Sequence, residues 1–135
     1  MDVDVAVLGG GPGGYTAAIR AAQLGAKVAC IEREPELGGT CLRVGCIPTK
    51  AWVQTAFALK EAEEHFGKFG VQVGEAKLDF AASNAWKDGV VHQMTAGVAG
   101  LFKANGVDWL HGRGSFSGCC RSRWPSRVEA STRSS

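Results

Sequence analysis

Residues 3–34 read VDVAVLGGGPGGYTAAIRAAQLGAKVACIERE. Val3, Val5, Ala6, Val7 and Leu8 form a short apolar run stopped by glycine, the pattern of a strand buried on both faces. Gly13 to Leu24 is alanine-rich helical sequence closing at Gly25, a residue suited to the position just past a helix end. KVACIER supplies a second strand. Strand, glycine turn, helix and strand in that order predict parallel strands joined by a helical crossover, and hence an α/β fold with a parallel sheet.

The turn carries chemistry as well as shape. Gly9, Gly11 and Gly14 make G-x-G-x-x-G, and Glu32 ends the second strand at about the ~20-residue distance of an acid that binds a ribose hydroxyl. Gly9 permits the tight turn, Gly11 lets the backbone approach a pyrophosphate, and Gly14 lets helix and strand pack closely. The helix start adds free N–H groups and a partial positive charge, both suited to phosphate. The plainer alternative is a tight turn beside a solvated glutamate. With the whole pattern in register, the stretch reads as a Rossmann-like nucleotide-binding unit.

The 135 residues are 45% hydrophobic and 21% charged, the composition of one ordinary globular domain. The net charge of +2 is concentrated late: residues 119–135 hold four Arg and one Glu, which leaves residues 1–118 at −1. Nothing in the main body points to nucleic acid or a membrane surface as partner. A strand follows MDVD directly, with no secretory leader pattern, so the reading places the chain in the cytoplasm.

Further along, Trp52, Ala56, Leu59, Ala62 and Phe66 recur at helical spacing. Asp79 reads as the N-cap of a second long helix, with Phe80, Val90 or Val91, Met94, Val98 and Leu101 on its apolar face and Gly106 at its end. VDWLHGRGSF follows as a strand and turn. The sequence divides at about Gly118. Five of the last 17 residues are Ser, and aliphatic residues nearly vanish, so 119–135 cannot bury enough apolar surface to fold alone. A basic tail and a shifted or truncated reading frame are both open readings of it.

Between the nucleotide unit and the first long helix lies GGTCLRVGCIPTK, residues 38–50. Zinc would need further ligands at suitable spacing; Cys30, Cys119, Cys120, His65, His92 and His111 complete no recognisable set. A structural staple between Cys41 and Cys46 would close a tiny loop, which removes little chain entropy, and cytosolic thiols stay reduced. On a regular helix, residues five apart rise about 7.5 Å, beyond the ~4.4–6.8 Å Cα separation of a disulfide. The backbone must therefore bend; Gly45 permits this, and Pro48 biases Ile47 away from helical angles. A small-loop disulfide beside a helix start, where the dipole favours thiolate, suits thiol–disulfide exchange.

Taken together, GGGPGGYTAAIRAAQLGAKVACIERE and GGTCLRVGCIPTK resemble the N-terminal part of the flavin-dependent disulfide oxidoreductases, over roughly residues 3–116. Thr49 before Lys50 favours the branch that oxidises dihydrolipoamide, or its mercuric reductase relative, over the glutathione reductase type. The resemblance implies a Rossmann-like FAD-binding domain over 1–118, incomplete relative to the family. It implies that Glu32, with Arg33 beside it, holds the FAD ribose. Gly9, Gly11, Gly13 and Gly14 would serve the pyrophosphate, while Gly38, Gly39, Thr40, Cys41, Lys50 and Gly114 would line the cofactor. Cys41 would be the interchange thiol, Cys46 the charge-transfer thiol and Lys50 a cation near the flavin's reactive edge. NAD would be the final acceptor, although the chain has no second G-x-G-x-x-G and no catalytic His–Glu pair. The implied partners are dihydrolipoamide on the acyltransferases of 2-oxo acid dehydrogenase complexes and, in the full-length family, a second subunit. A non-catalytic flavin-binding module is the alternative from another class.

Overall fold

The computed structural model describes residues 1–115; the expectations for the basic tail and for Cys119 and Cys120 lie outside them. Three strands, β1 (Val5–Leu8), β2 (Val28–Glu32) and β3 (Asp108–His111), form a parallel sheet in the order β1-β2-β3. Val5 pairs with Val28, Leu8 with Ile31, and Glu32 with His111. Helix α1 (Pro12–Gln23) connects the first two strands. Helices α2 (Gly39–Arg43), α3 (Cys46–Glu64) and α4 (Phe80–Asn105) lie between β2 and β3, with a short 3₁₀ turn at Phe66–Phe69. The expected α/β class with a parallel sheet is what the chain forms.

Each boundary has a local cause. Pro12 occupies the first turn of α1, where its missing N–H costs no helical bond, and Gly25 past the helix end sits at φ +93. The Asp79 side chain accepts the Ala82 N–H at 3.0 Å, and Gly106 closes α4 in the left-handed region. Helix α3 starts at Cys46, so Ile47 is helical despite preceding Pro48. The expectation that Pro48 would hold Ile47 out of the helix is corrected: Pro48 falls in the first turn, where a proline is tolerated.

Strand β2 is central and buried along its whole length. Val28 and Cys30 point into a core built with Ala18, Leu37, Leu42, Val98, Phe102 and Val107. Strand β1 does not match its expected two-sided burial, because Val5 and Leu8 remain 36% and 39% exposed. It is an edge strand: α1 covers one face, through Val7, the Gly114 backbone lies against Leu8 on the other, and no strand among the described residues pairs along its outer side.

The faces of the long helices also differ from the sequence pattern. On α3 the inward positions are Ala51, Thr55, Leu59 and Ala62, while Trp52 and Ala56 are exposed. On α4 they are Val91, Thr95, Val98 and Phe102, while Phe80, Met94 and Leu101 face outward. Small residues let the two helices approach, and Ser83 Oγ donates to Thr55 Oγ1 at 3.1 Å between them. No helix among the described residues is long and apolar enough to cross a membrane.

Candidate functional site

The carboxyl ends of the three parallel strands open onto a cleft of about 610 Å³. This is where open α/β sheets bind their ligands. Its walls gather Gly9, Glu32, Arg33, Gly39, Thr40 and Gly114 from the sequence-derived set, and add Leu8, Ile31, Glu34, Arg43, Val44, Gly112 and Arg113. Gly11, Gly13, Gly14, Gly38, Cys41, Cys46 and Lys50 lie outside these walls.

The glycine turn is shaped as its spacing demands. Gly9 adopts φ +97, which a side chain rarely tolerates. A Cβ on Gly14 would lie 1.8 Å from the Gly9 carbonyl oxygen, so α1 can seat on β1 only with glycine there. No side chain caps α1, and the N–H groups of its first turn are left for a ligand.

Glu32 is 7% exposed yet fully satisfied. Its Oε2 accepts the Gly10 N–H at 2.6 Å and its Oε1 accepts the Glu34 N–H at 3.0 Å. Burial pushes its pKa up, but the N–H groups of Glu34, Gly10 and Arg33 and the Arg33 charge outweigh it and hold the carboxyl below its ordinary value. It is therefore an anion at neutral pH, in the wall of the cleft. Gly10 was not singled out by the sequence pattern, although it is buried and donates to Glu32; its only signal is its place in the middle of the run Gly9–Gly11.

The two cysteines sit on either side of the bend their spacing requires. Cys41 is in α2 and half-buried; Cys46 opens α3 and is exposed. Gly45 makes the turn between them, and a Cβ there would press to 3.0 Å from the Thr40 carbonyl oxygen. Both are free thiols. The hydrogen bond to the Cys46 side chain is the main cause pushing the Cys41 pKa up, with burial and the nearby Cys46 adding to it. The Cys46 backbone N–H and the Lys50 charge pull the other way without prevailing. Cys30 lies apart in β2, fully buried, its pKa pushed up to about 11 by desolvation and by Glu32.

A glycine turn, an ionised acid at the next strand end and a neighbouring cysteine pair thus lie in one stretch of the fold. The chain belongs to the pyridine nucleotide-disulphide oxidoreductase family, whose model matches residues 3–130. It is 51% identical to dihydrolipoyl dehydrogenase 2, mitochondrial, of Arabidopsis thaliana, over 85% of this chain and 23% of that protein. Identity to the mitochondrial dihydrolipoyl dehydrogenase of Pisum sativum is 50% over 84% of this chain and 23% of that one. To leghemoglobin reductase of Vigna unguiculata it is 49%, over 84% and 22%. The chain thus spans less than a quarter of the length of these relatives.

Proposed function

We propose that this chain supplies the FAD-binding turn and the redox-active cysteine pair of a dihydrolipoyl dehydrogenase. The observation that carries the reading is the buried, ionised Glu32 at the cleft beside the glycine turn, with Cys41 in the short helix α2 and Cys46 just across the Gly45 turn from it. The residues fit FAD. Glu32 and Arg33 would hold the ribose. Gly9, Gly11, Gly13 and Gly14 would bring backbone and the α1 N–H groups toward the pyrophosphate, and Gly38, Gly39, Thr40 and Gly114 would line the remainder. When bound, FAD supplies a two-electron acceptor that can be reoxidised by NAD.

The cysteines perform the exchange with substrate. Starting from a Cys41–Cys46 disulfide, one thiolate of dihydrolipoamide attacks the Cys41 sulfur, and Cys46 leaves as a thiolate. The second substrate thiolate then attacks the substrate sulfur bound to Cys41, closing lipoamide and releasing Cys41. Two electrons have passed from the substrate dithiol to the protein pair. Lys50, whose charge reaches Cys41, steadies the anionic sulfurs. Cys46, the more exposed sulfur of the pair, is the one a flavin ring would cover. Dihydrolipoamide carried on acyltransferases of 2-oxo acid dehydrogenase complexes is the proposed partner, and the working unit a homodimer. A reducing compartment, the cytoplasm first, keeps such thiols available.

The test is dihydrolipoamide-dependent NADH formation from NAD by the FAD-loaded protein that carries this sequence; a protein that takes up no flavin overturns the reading. Because one relative is named for leghemoglobin reduction, the same preparation is assayed with a haem-protein acceptor, oxidised glutathione and mercuric ion. Preference for any of these moves the substrate assignment within the family. Cys46→Ser should abolish the long-wavelength thiolate-to-flavin band on reduction, and a persisting band would reverse the roles given to the two sulfurs.

A further inference from the structure

Helix α2 carries Cys41 between two fastenings, and both lead back to one carboxylate. At its start the Gly38 N–H donates to the Gly10 carbonyl oxygen at 2.8 Å. At its end Arg43 Nη1 lies 3.2 Å from Glu34 Oε2, with the Arg43 side chain only 23% exposed. Gly10 and Glu34 are themselves gripped by Glu32, whose two oxygens accept their N–H groups at 2.6 and 3.0 Å. An ionised carboxylate has acceptor sites beyond these two, so a ligand hydroxyl that meets it joins those donors on Glu32 and acts on both fastenings together.

The helix depends on its fastenings because it spans five residues, Gly39–Arg43, and no side chain caps its start. A single turn is too short to hold itself, since the cost of nucleation exceeds what so few hydrogen bonds return. An isolated exposed ion pair contributes little. Arg43 is different in placement: it lines the nucleotide cleft and stands two residues from Cys41. Its competitor for Glu34 is weak, because Arg33 reaches Oε1 at 3.2 Å from a side chain 68% exposed.

Building on the FAD reading above, we propose that Arg43 is a positioning residue. Its ion pair with Glu34 transmits occupancy of the cleft at Glu32 to the Cys41–Cys46 pair, so that a bound adenine nucleotide favours the disulfide. A nucleotide that steadies the Glu32 loop steadies the Arg43 end of α2, which holds Cys41 within bonding reach of Cys46. Coupling of this kind is reciprocal: the oxidised protein binds the nucleotide more tightly than the reduced one, by the same factor.

The experiment uses the full protein carrying this sequence, depleted of flavin, with ADP as the probe. Protein dithiol is equilibrated with glutathione disulfide, which oxidises it to the protein disulfide and yields two glutathione thiols. Alkylation followed by peptide mass mapping reads Cys41 and Cys46 separately from the other cysteines. Saturating ADP should raise the equilibrium constant for the disulfide by about fivefold or more, within the usual range of allosteric coupling. R43Q should cut that rise below about twofold, E34Q should do the same without touching α2, and the charge swap E34R/R43E should restore it. ADP binding to wild-type protein without any change in the disulfide equilibrium overturns the coupling alone, as does R43Q or E34Q retaining the full rise. No ADP binding by the wild-type protein overturns the FAD reading and this inference together.

Discussion

Gly14 is the sharpest test of how α1 meets the sheet. A Cβ built there would stand 1.8 Å from the Gly9 carbonyl oxygen, where real contacts essentially never fall below 3.0 Å. The obstacle is backbone at the end of β1, so no side-chain rotation relieves it; α1 would have to withdraw by more than an ångström. Overpacking of this kind costs about 3 kcal/mol at the upper end of its usual range, and alanine's helix propensity returns about 1 kcal/mol. Gly14→Ala should therefore destabilise by about 2 kcal/mol. With a urea slope of about 1–2 kcal/mol per molar, the unfolding midpoint should fall by about 1–2 M. Gly13→Ala is the internal control, because a Cβ at Gly13 meets nothing within 4 Å. It should be neutral or raise the midpoint by a few tenths of a molar. Equilibrium urea unfolding followed by circular dichroism measures both. A Gly14→Ala midpoint within about 0.3 M of wild type would refute the close-approach account of the turn.

Glu32 gives a pH signature. Its folded pKa is held below the ordinary 4.5, so in acid the unfolded chain binds the extra proton. Its contribution to stability is complete above about 4.5 and is lost as pH falls through the lower folded value; urea midpoints between pH 6 and 3 should show the decline, and Glu32→Gln should flatten it. The rotation of α4 is checked by a neighbouring pair: Phe102→Ala, at a side chain 2% exposed, should cost about 3–5 kcal/mol. Leu101→Ala, at 50% exposure, should cost under about 1 kcal/mol. Equal effects at the two positions would show that the helix face is misassigned.

The misreading of that face has a physical origin. Helix α4 carries apolar side chains all round, with Phe80, Met94 and Leu101 outside as well as Val98 and Phe102 inside. A periodic pattern then fits two orientations one residue apart, and only the sheet and α1 beneath it choose between them. The same holds on α3, where Ala51 and Thr55 face inward instead of the larger Trp52 and the adjacent Ala56, because close approach to α4 favours small groups. The burial of β1 depended likewise on neighbours that a strand pattern does not contain.

The local order of strand, glycine turn, helix, strand and acid was determined by the sequence alone, as was the need for a bend between Cys41 and Cys46. These rest on steric rules that act within a few residues: φ at Gly9, helical rise, capping at Asp79. What only the tertiary structure decided was how those pieces meet. Gly10 became the partner of Glu32 because two segments 22 residues apart converge at one end of the sheet. Arg43 became a cleft residue, with Glu34 as its counterion, because the loop after β2 folds back over a helix too short to place itself. Such contacts join residues distant in the chain, and no local propensity encodes them.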